Sequence, residues 1–253
     1  MSWWRDYFDD DFYRLHEPLF PESASRREVA AMLELLGLPA GARILDAPCG
    51  WGRHTALLAE AGLQPVGADL SLPLLRRAAA RARPARFAAA DLRALPFRDQ
   101  SFDAVLNVFT SLGLFLSDEE DGRVLREAFR VLRPGGRLLL ETMHRDDVVC
   151  AYAERDRWTL PDGTEVRVRR RFDPVSGISS ERLRWRRGTA RGEKRHALRL
   201  RTATEIDALL RAAGFASIRY HGDWTGEPFT HESPRLIAVA TRPASLAARP
   251  PEP

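Results

Sequence analysis

Three apolar runs within the first hundred residues each end on aspartate: Ile44-Leu45-Asp46, Val66-Gly67-Ala68-Asp69 and Phe87-Ala88-Ala89-Ala90-Asp91. A glycine-bearing loop, Pro48-Cys49-Gly50-Trp51-Gly52, follows the first. Helical segments separate the runs: one near Arg53–Ala61 stopped by Gly62, and one with Ser71 as N-cap and Pro73 in its first turn. Short strands alternating with helices of this length build a parallel sheet with right-handed crossovers and helices on both faces. The pattern continues through a strand at Phe102–Val108 and a helix opened by Ser117 and Glu120 as a capping box. Pro134-Gly135-Gly136 and a strand at Arg137–Thr142 follow.

The expected fold is therefore α/β, a doubly wound, Rossmann-like, mostly parallel sheet. Residues 1–142 and 202–242 form its core, and residues 1–36 make an N-terminal helical cap. In the cap, Trp4, Tyr7, Phe8 and Phe12 recur at helical spacing, and a helix over Arg26–Leu36 ends at Gly37. The alternation breaks at residues 143–201, which read as an antiparallel three-stranded β insertion, with turns around Asp173–Gly177 and Gly188–Gly192. A second capping box, Thr202 with Glu205, returns the chain to helix, and strands near Ser217–His221 and Leu236–Thr241 close it. The small, proline-rich tail 243–253 is expected to be disordered.

In a doubly wound sheet, ligands bind beyond the carboxyl ends of the strands. Three carboxylates standing there describe a pocket for a nucleoside with a cationic or amine-bearing tail. Gly50 and Gly52 let backbone approach a ligand with no β-carbon in the way. The helix that begins near Arg53 turns free N–H groups toward the loop, which favours a carboxylate. An NAD-type site is the nearest rival, but it wants G-x-G-x-x-G, and the loop Pro48-Cys49-Gly50-Trp51-Gly52-Arg53-His54 lacks the third glycine.

Over residues 40–142 the pattern resembles class I S-adenosylmethionine (SAM)-dependent methyltransferases, notably bacterial small-molecule ones with a Pro-Cys-Gly-x-Gly-Arg loop. The resemblance implies SAM as cofactor and assigns roles by position. Asp46, Ala47, Pro48, Cys49, Gly50 and Gly52 would hold the methionine end; for Arg53 two readings stand, pairing with the SAM carboxylate or facing solvent. Asp69 would hold the ribose and Leu70 would pack on the adenine. Asp91 and Leu92 would meet the adenine edge, and Asn107 and Val108 would line the floor. Proline at position 48 departs from the glycine common there and offers no N–H. Methyl transfer needs alignment more than a dedicated nucleophile, so the catalytic candidates, His144 and Tyr13, rest only on position near the strand ends and in the aromatic cap.

The remaining features bound the function. Two cysteines and six scattered histidines give no metal-ligand spacing, so no metal is expected. No apolar run reaches the roughly 20 residues of a membrane span, and a cytoplasmic location is expected. Residues 163–201 hold thirteen cations against four acids, +9 in a chain of net charge +4. Arg167, Arg169 and Arg171 share one strand parity, as do Arg182, Arg184 and Arg186. The favoured reading is a solvated outer face over an apolar underside, with the insertion acting as a lid over a small-molecule acceptor. The alternatives are an RNA methyltransferase that uses the Arg face, and a SAM-binding protein without catalysis. Nucleic acid is not favoured, because no aromatic residues interleave with the arginines.

Overall fold

The computed structural model describes residues 3–244. A seven-stranded sheet runs in the order β10-β11-β5-β4-β1-β2-β3. Its strands are β1 (Arg43–Asp46), β2 (Gln64–Asp69), β3 (Arg86–Ala89), β4 (Phe102–Asn107), β5 (Leu132–Thr142), β10 (Ala216–His221) and β11 (Leu236–Thr241). Strands β1 to β5 pair in parallel, and β11 lies antiparallel between β5 and β10.

Strand alternation decides which helices cover which face. Leu45, Val105, Leu138, Leu140, Ala238 and Ala240 point to one side. There they bury Val124, Leu125 and Val131 of α6 (Asp118–Val131) and Ile206 and Leu210 of α8 (Ala203–Ala212). Their neighbours Ile44, Ala104, Leu106, Leu139, Ile237 and Val239 point the other way. They meet Val29, Met32 and Leu36 of α3 (Glu22–Leu36) and Leu57 and Leu58 of α4 (Arg53–Glu60). Helix α5 (Leu72–Arg81) packs beside α4, β2 and β3. Its start is capped as expected, with Ser71 Oγ accepting the Leu74 amide at 3.2 Å. The box at Thr202 and Glu205 is complete, whereas Ser117 only accepts the Glu120 amide.

Three expectations are amended. The aromatic N-terminal stretch is two helices, α1 (Trp4–Tyr7) and α2 (Asp10–His16), because Asp9 leaves the helical region and caps the second. The Pro134-Gly135-Gly136 turn sits inside the start of β5, where the register with β4 shifts. The insertion has four strands, not three, in a meander of β6 (Arg155–Thr159), β7 (Glu165–Asp173), β8 (Ile178–Arg187) and β9 (Ala190–Arg199). The added strand, Arg-Asp-Arg-Trp-Thr, has one apolar residue and hence no legible alternation. Trp158 is nonetheless opposite Val166 and joins the apolar underside with Val168, Leu183 and Trp185.

That underside closes over Leu15 of α2. Lys194 fastens it further, donating to the Tyr7 carbonyl at 2.8 Å and pairing with Asp9 at 2.6 Å. The two roots of the insertion meet, since the Arg145 amide donates to the Arg201 carbonyl at 2.8 Å. Arg201 is buried and bonds Asp121 of α6 at 2.5 Å and Asp118 at 2.7 Å. Of the tail 243–253, all beyond residue 244 lies outside the described residues. Among the described residues, no helix is long and apolar enough to cross a membrane, and no group of three metal-ligating side chains gathers.

Candidate active site

The carboxyl ends of β1, β2, β3 and β4 open on a cavity of about 640 Å³. Its far wall is formed by α1, α2, the 109–115 loop and β9. Of the residues expected to hold a cofactor, Pro48, Cys49, Gly50, Arg53, Asp69, Leu70, Asp91, Leu92 and Val108 line it. Asp46, Ala47, Gly52 and Asn107 do not; they stand behind the loop and support it. Asp46 is fully buried and accepts the Thr55 hydroxyl at 2.6 Å, while its second oxygen has no partner. Burial raises its pKa. Asn107 donates to the Ala47 carbonyl at 2.9 Å, tying β4 to the loop.

The two loop glycines have different reasons to be glycine. Gly50 adopts φ +53° and a β-carbon there would meet only open space. Gly52, at φ +75°, abuts α5, where a β-carbon would come within 2.9 Å of Ala78. The expectation that both make room for a ligand is thus amended for Gly52, whose constraint is helix packing.

Asp69 braces the loop. Its two oxygens accept the Gly50 and Ser71 amides, each at 2.8 Å. Burial pushes its carboxyl up to about 6, against the pull of those amides. Asp91 is held differently. Arg93 grips both of its oxygens, at 2.9 and 2.6 Å, and draws its pKa down.

Arg53 starts α4 and is 6% exposed. Its Nη1 donates to Ser25 Oγ at 3.0 Å and to Glu28, and its plane lies over Phe109 at 4.2 Å and Phe20 at 5.0 Å. Its Nη2 is buried without a partner. Glu28 also accepts from His54 at 2.8 Å. Burial raises the Glu28 carboxyl, but His54 and Arg53 outweigh it and hold it below the usual range. Reading the sequence for strand ends missed Glu28. Its signal was a carboxylate on the buried face of α3, one position from Val29 and four from Met32.

Glu141 was missed as well. Buried in β5, it accepts the Phe109 amide at 2.6 Å and pairs with Arg235 at 2.5 Å. It stabilises a turn in which Phe109 and Thr110 both take left-handed backbone, φ 65° and 54°. Such strain costs of order 1–3 kcal/mol per residue, and here it aims two cavity-lining residues.

The far wall is aromatic, with Trp3, Trp4, Tyr7, Phe8, Phe12, Phe20 and Phe115. Besides His54 of α4, two histidines line the cavity from this far wall, His16 and His196. His16 Nδ1 lies 2.8 Å from the Phe12 carbonyl, which fixes its proton on Nδ1 and leaves Nε2 as an acceptor. Burial lowers the pKa of both rings, that of His196 to about 4 with help from Arg170. The catalytic candidates His144 and Tyr13 do not line the cavity. His144 is buried, with Nε2 at 2.6 Å from the Ser233 carbonyl. Tyr13 packs edge-on to Trp51 beneath Arg77.

Sequence comparison matches residues 44–136 to the model of a methyltransferase domain. The matched segment holds β1 to β4 and the start of β5, so the likeness to a methyltransferase domain falls on the part of the Rossmann-like sheet that borders the cavity. Demethylmenaquinone methyltransferase of Renibacterium salmoninarum is 36% identical over 135 residues, 53% of this chain and 55% of its own. Malonyl-[acyl-carrier protein] O-methyltransferase of Pseudescherichia vulneris is 34% identical over 118 residues, 47% of this chain and 45% of its own. The chain thus spans about half the length of these curated relatives. Among solved structures, the CcbJ methyltransferase of Streptomyces caelestis superposes with a TM-score of 0.81 at 19% identity, covering 95% of this chain and 99% of its own. The SAM-bound amino pentose methyltransferase CalS10 of Micromonospora echinaspora gives 0.70 at 24% identity, covering 90% and 96%. At these identities the likeness is one of fold.

Proposed function

We propose that this chain is an enzyme that moves a methyl group from SAM to a small-molecule acceptor. The observation that carries the reading is the buried, unpartnered Arg53 Nη2 in the same cavity wall as Asp69 and Asp91. A cation at one end and carboxylates at the other match a ligand with an amino-acid head and a nucleoside body. Arg53 would hold the methionyl carboxylate, Asp69 the ribose hydroxyls, and Asp91 and Leu92 the adenine edge, with Leu70 against its face. When bound, SAM supplies an activated methyl group on a sulfonium.

The protein's own contribution is alignment and exclusion of water. The cavity exceeds what one cofactor fills, and its aromatic far wall suits a largely apolar acceptor. Aromatic faces beside a sulfonium also favour the cation. Where the acceptor nucleophile carries a proton, His16 is placed to take it at Nε2, its ring kept neutral by burial and oriented by the Phe12 carbonyl. His144 and Tyr13 lack that access.

Calorimetric titration of SAM and its demethylated product into wild type and Asp69→Ala tests the reading. Binding near the micromolar range, about −8 kcal/mol, that the substitution weakens is the expected result. No binding to wild type would overturn it.

A further inference from the structure

The underside of the insertion is apolar, and its outer face is arginine. By the strand register, Arg155 of β6 is directly opposite Arg169 of β7, which is opposite Arg182 of β8, which is opposite Arg195 of β9. The adjacent row runs Arg157, Arg167, Arg184 and ends on Glu193. Val166, Val168, Leu183 and Trp185 hold the alternate positions and point the other way. Like charges directly opposite one another destabilise a sheet, so the fold itself gives no reason for the rows.

The acids on this face only partly offset it. Glu193 is shared by Arg195 at 2.6 Å, Arg184 at 2.8 Å and Arg182 at 3.2 Å, and Glu165 lies 3.2 Å from Arg186. Arg157, Arg171 and Arg191 are exposed and have no ion-pair partner among the described residues. With strands about 4.8 Å apart and alternate residues about 6.8 Å apart along each, the array covers a patch roughly 14 Å on a side. A planar array of charge suits a planar partner. A nucleic-acid strand presents its phosphates along a line, and no aromatic side chain shares this face to stack a base.

One end of the insertion also carries exposed apolar side chains. Val175, in the turn that joins β7 to β8, is 94% exposed. Helix α7 (Arg145–Cys150) lies against that turn, with Arg145 donating to the Pro174 carbonyl at 2.7 Å, and Val149 and Tyr152 are exposed at its far end. The same segment borders the cavity, whose wall includes Asp147 and the exposed Met143. We propose that the outer face of the insertion docks on an anionic lipid surface. Its arginines meet the headgroup phosphates, and Val175, Val149 and Tyr152 enter the interface at one edge. An apolar acceptor would then pass from the bilayer, by way of Met143, into the aromatic cavity. That route rests on reading the cavity as the site of methyl transfer; the docking does not.

Flotation of the whole chain with vesicles tests the docking, using phosphatidylcholine alone and phosphatidylcholine mixed with phosphatidylglycerol. The chain should float with the mixed vesicles at about 0.1 M salt and largely stay behind at about 1 M, where charges are screened beyond ~3 Å. The triple variant Arg157→Gln, Arg171→Gln, Arg191→Gln leaves no carboxylate without its partner and should weaken that binding roughly tenfold or more. Val175→Asp should weaken it roughly threefold or more. Arg27→Gln, Arg76→Gln, Arg98→Gln, an equal loss of charge from α3, α5 and the loop before β4, should change it less than about twofold. No flotation with the mixed vesicles, equal binding to both vesicle types, or equal effects of the two triple variants would overturn the docking. So would retention of duplex RNA, but not of vesicles, through the same arginines. SAM should bind wild type and both triple variants alike. Failure of SAM to bind wild type would instead remove the methyl-transfer reading and the acceptor's route, and leave the vesicle result standing.

Discussion

Both oxygens of Asp69 accept backbone amides, yet burial still raises its pKa from 3.8 to about 6. The folded chain therefore binds this proton more tightly than the unfolded chain does. Its contribution to stability is largest in acid and declines as pH rises from 3.8 to about 6. In the proposed site ligand binding would run the opposite way, because ribose hydroxyls would donate to the ionised form. SAM affinity should fall as pH drops through about 6, and the dependence should vanish in Asp69→Ala; titrations at a series of pH values would show it. Arg53 gives a sharper test of position. Arg53→Met should weaken SAM roughly tenfold to a hundredfold, the loss of a charge-assisted pair, but leave 5′-methylthioadenosine, which lacks the carboxylate, nearly unchanged. Equal losses for both ligands would mean that Arg53 only supports the loop. The strand-terminal aspartates were legible from sequence because strand ends are marked by a change in polarity. Glu28 and Glu141 were not, since each acts through a partner 25 to 94 residues away that no local period reveals.

Among the elements, the β-α units from β1 to β4 were read to within a residue or two, because apolar runs bounded by Gly, Pro and capping side chains mark both ends, whereas β5 starts at Leu132, ahead of the Pro-Gly-Gly turn read as its boundary. Strand β6 escaped because its only apolar residue, Trp158, gains a partner through tertiary pairing with Val166. Helix α6 shows how an element fixes another at a distance. Asp121 is fully buried and meets Arg201 at the root of the insertion. Breaking a buried pair leaves an uncompensated charge, at about 3–5 kcal/mol. Arg201→Met should lower the unfolding free energy by that amount, read as a lower urea midpoint with little change in slope, whereas Arg211→Met, from the exposed pair with Asp207, should cost less than about 1 kcal/mol.

For the whole molecule, the sheet and the insertion divide the labour. The sheet's strand ends carry the groups assigned to SAM, and β9 brings His196 and Leu198 to the opposite wall. The expected lid is retained as a proposal on that placement. Replacing residues 152–198 with a short Gly-Ser turn should leave the seven-stranded sheet folded and speed SAM release roughly tenfold, as an uncovered site would; stopped-flow displacement measures it. An unchanged release rate would count against a lid. The fold class was readable from alternation alone. The far wall was not, since it assembles from residues 3–20, 109–115 and 196–198, which the fold gathers from three distant parts of the chain.

The insertion leaves and re-enters the frame at nearly one point, with Arg145 and Arg201 joined by a backbone hydrogen bond. A segment so rooted behaves like a cartridge in a socket. Its length and surface can drift across generations without shifting a strand of the frame, provided that the socket residues Asp118, Asp121 and Arg201 are kept. Acceptor preference would then be inherited separately from cofactor chemistry, and exchanging residues 146–200 between chains of this architecture is the natural way to graft one chain's appetite onto another's engine.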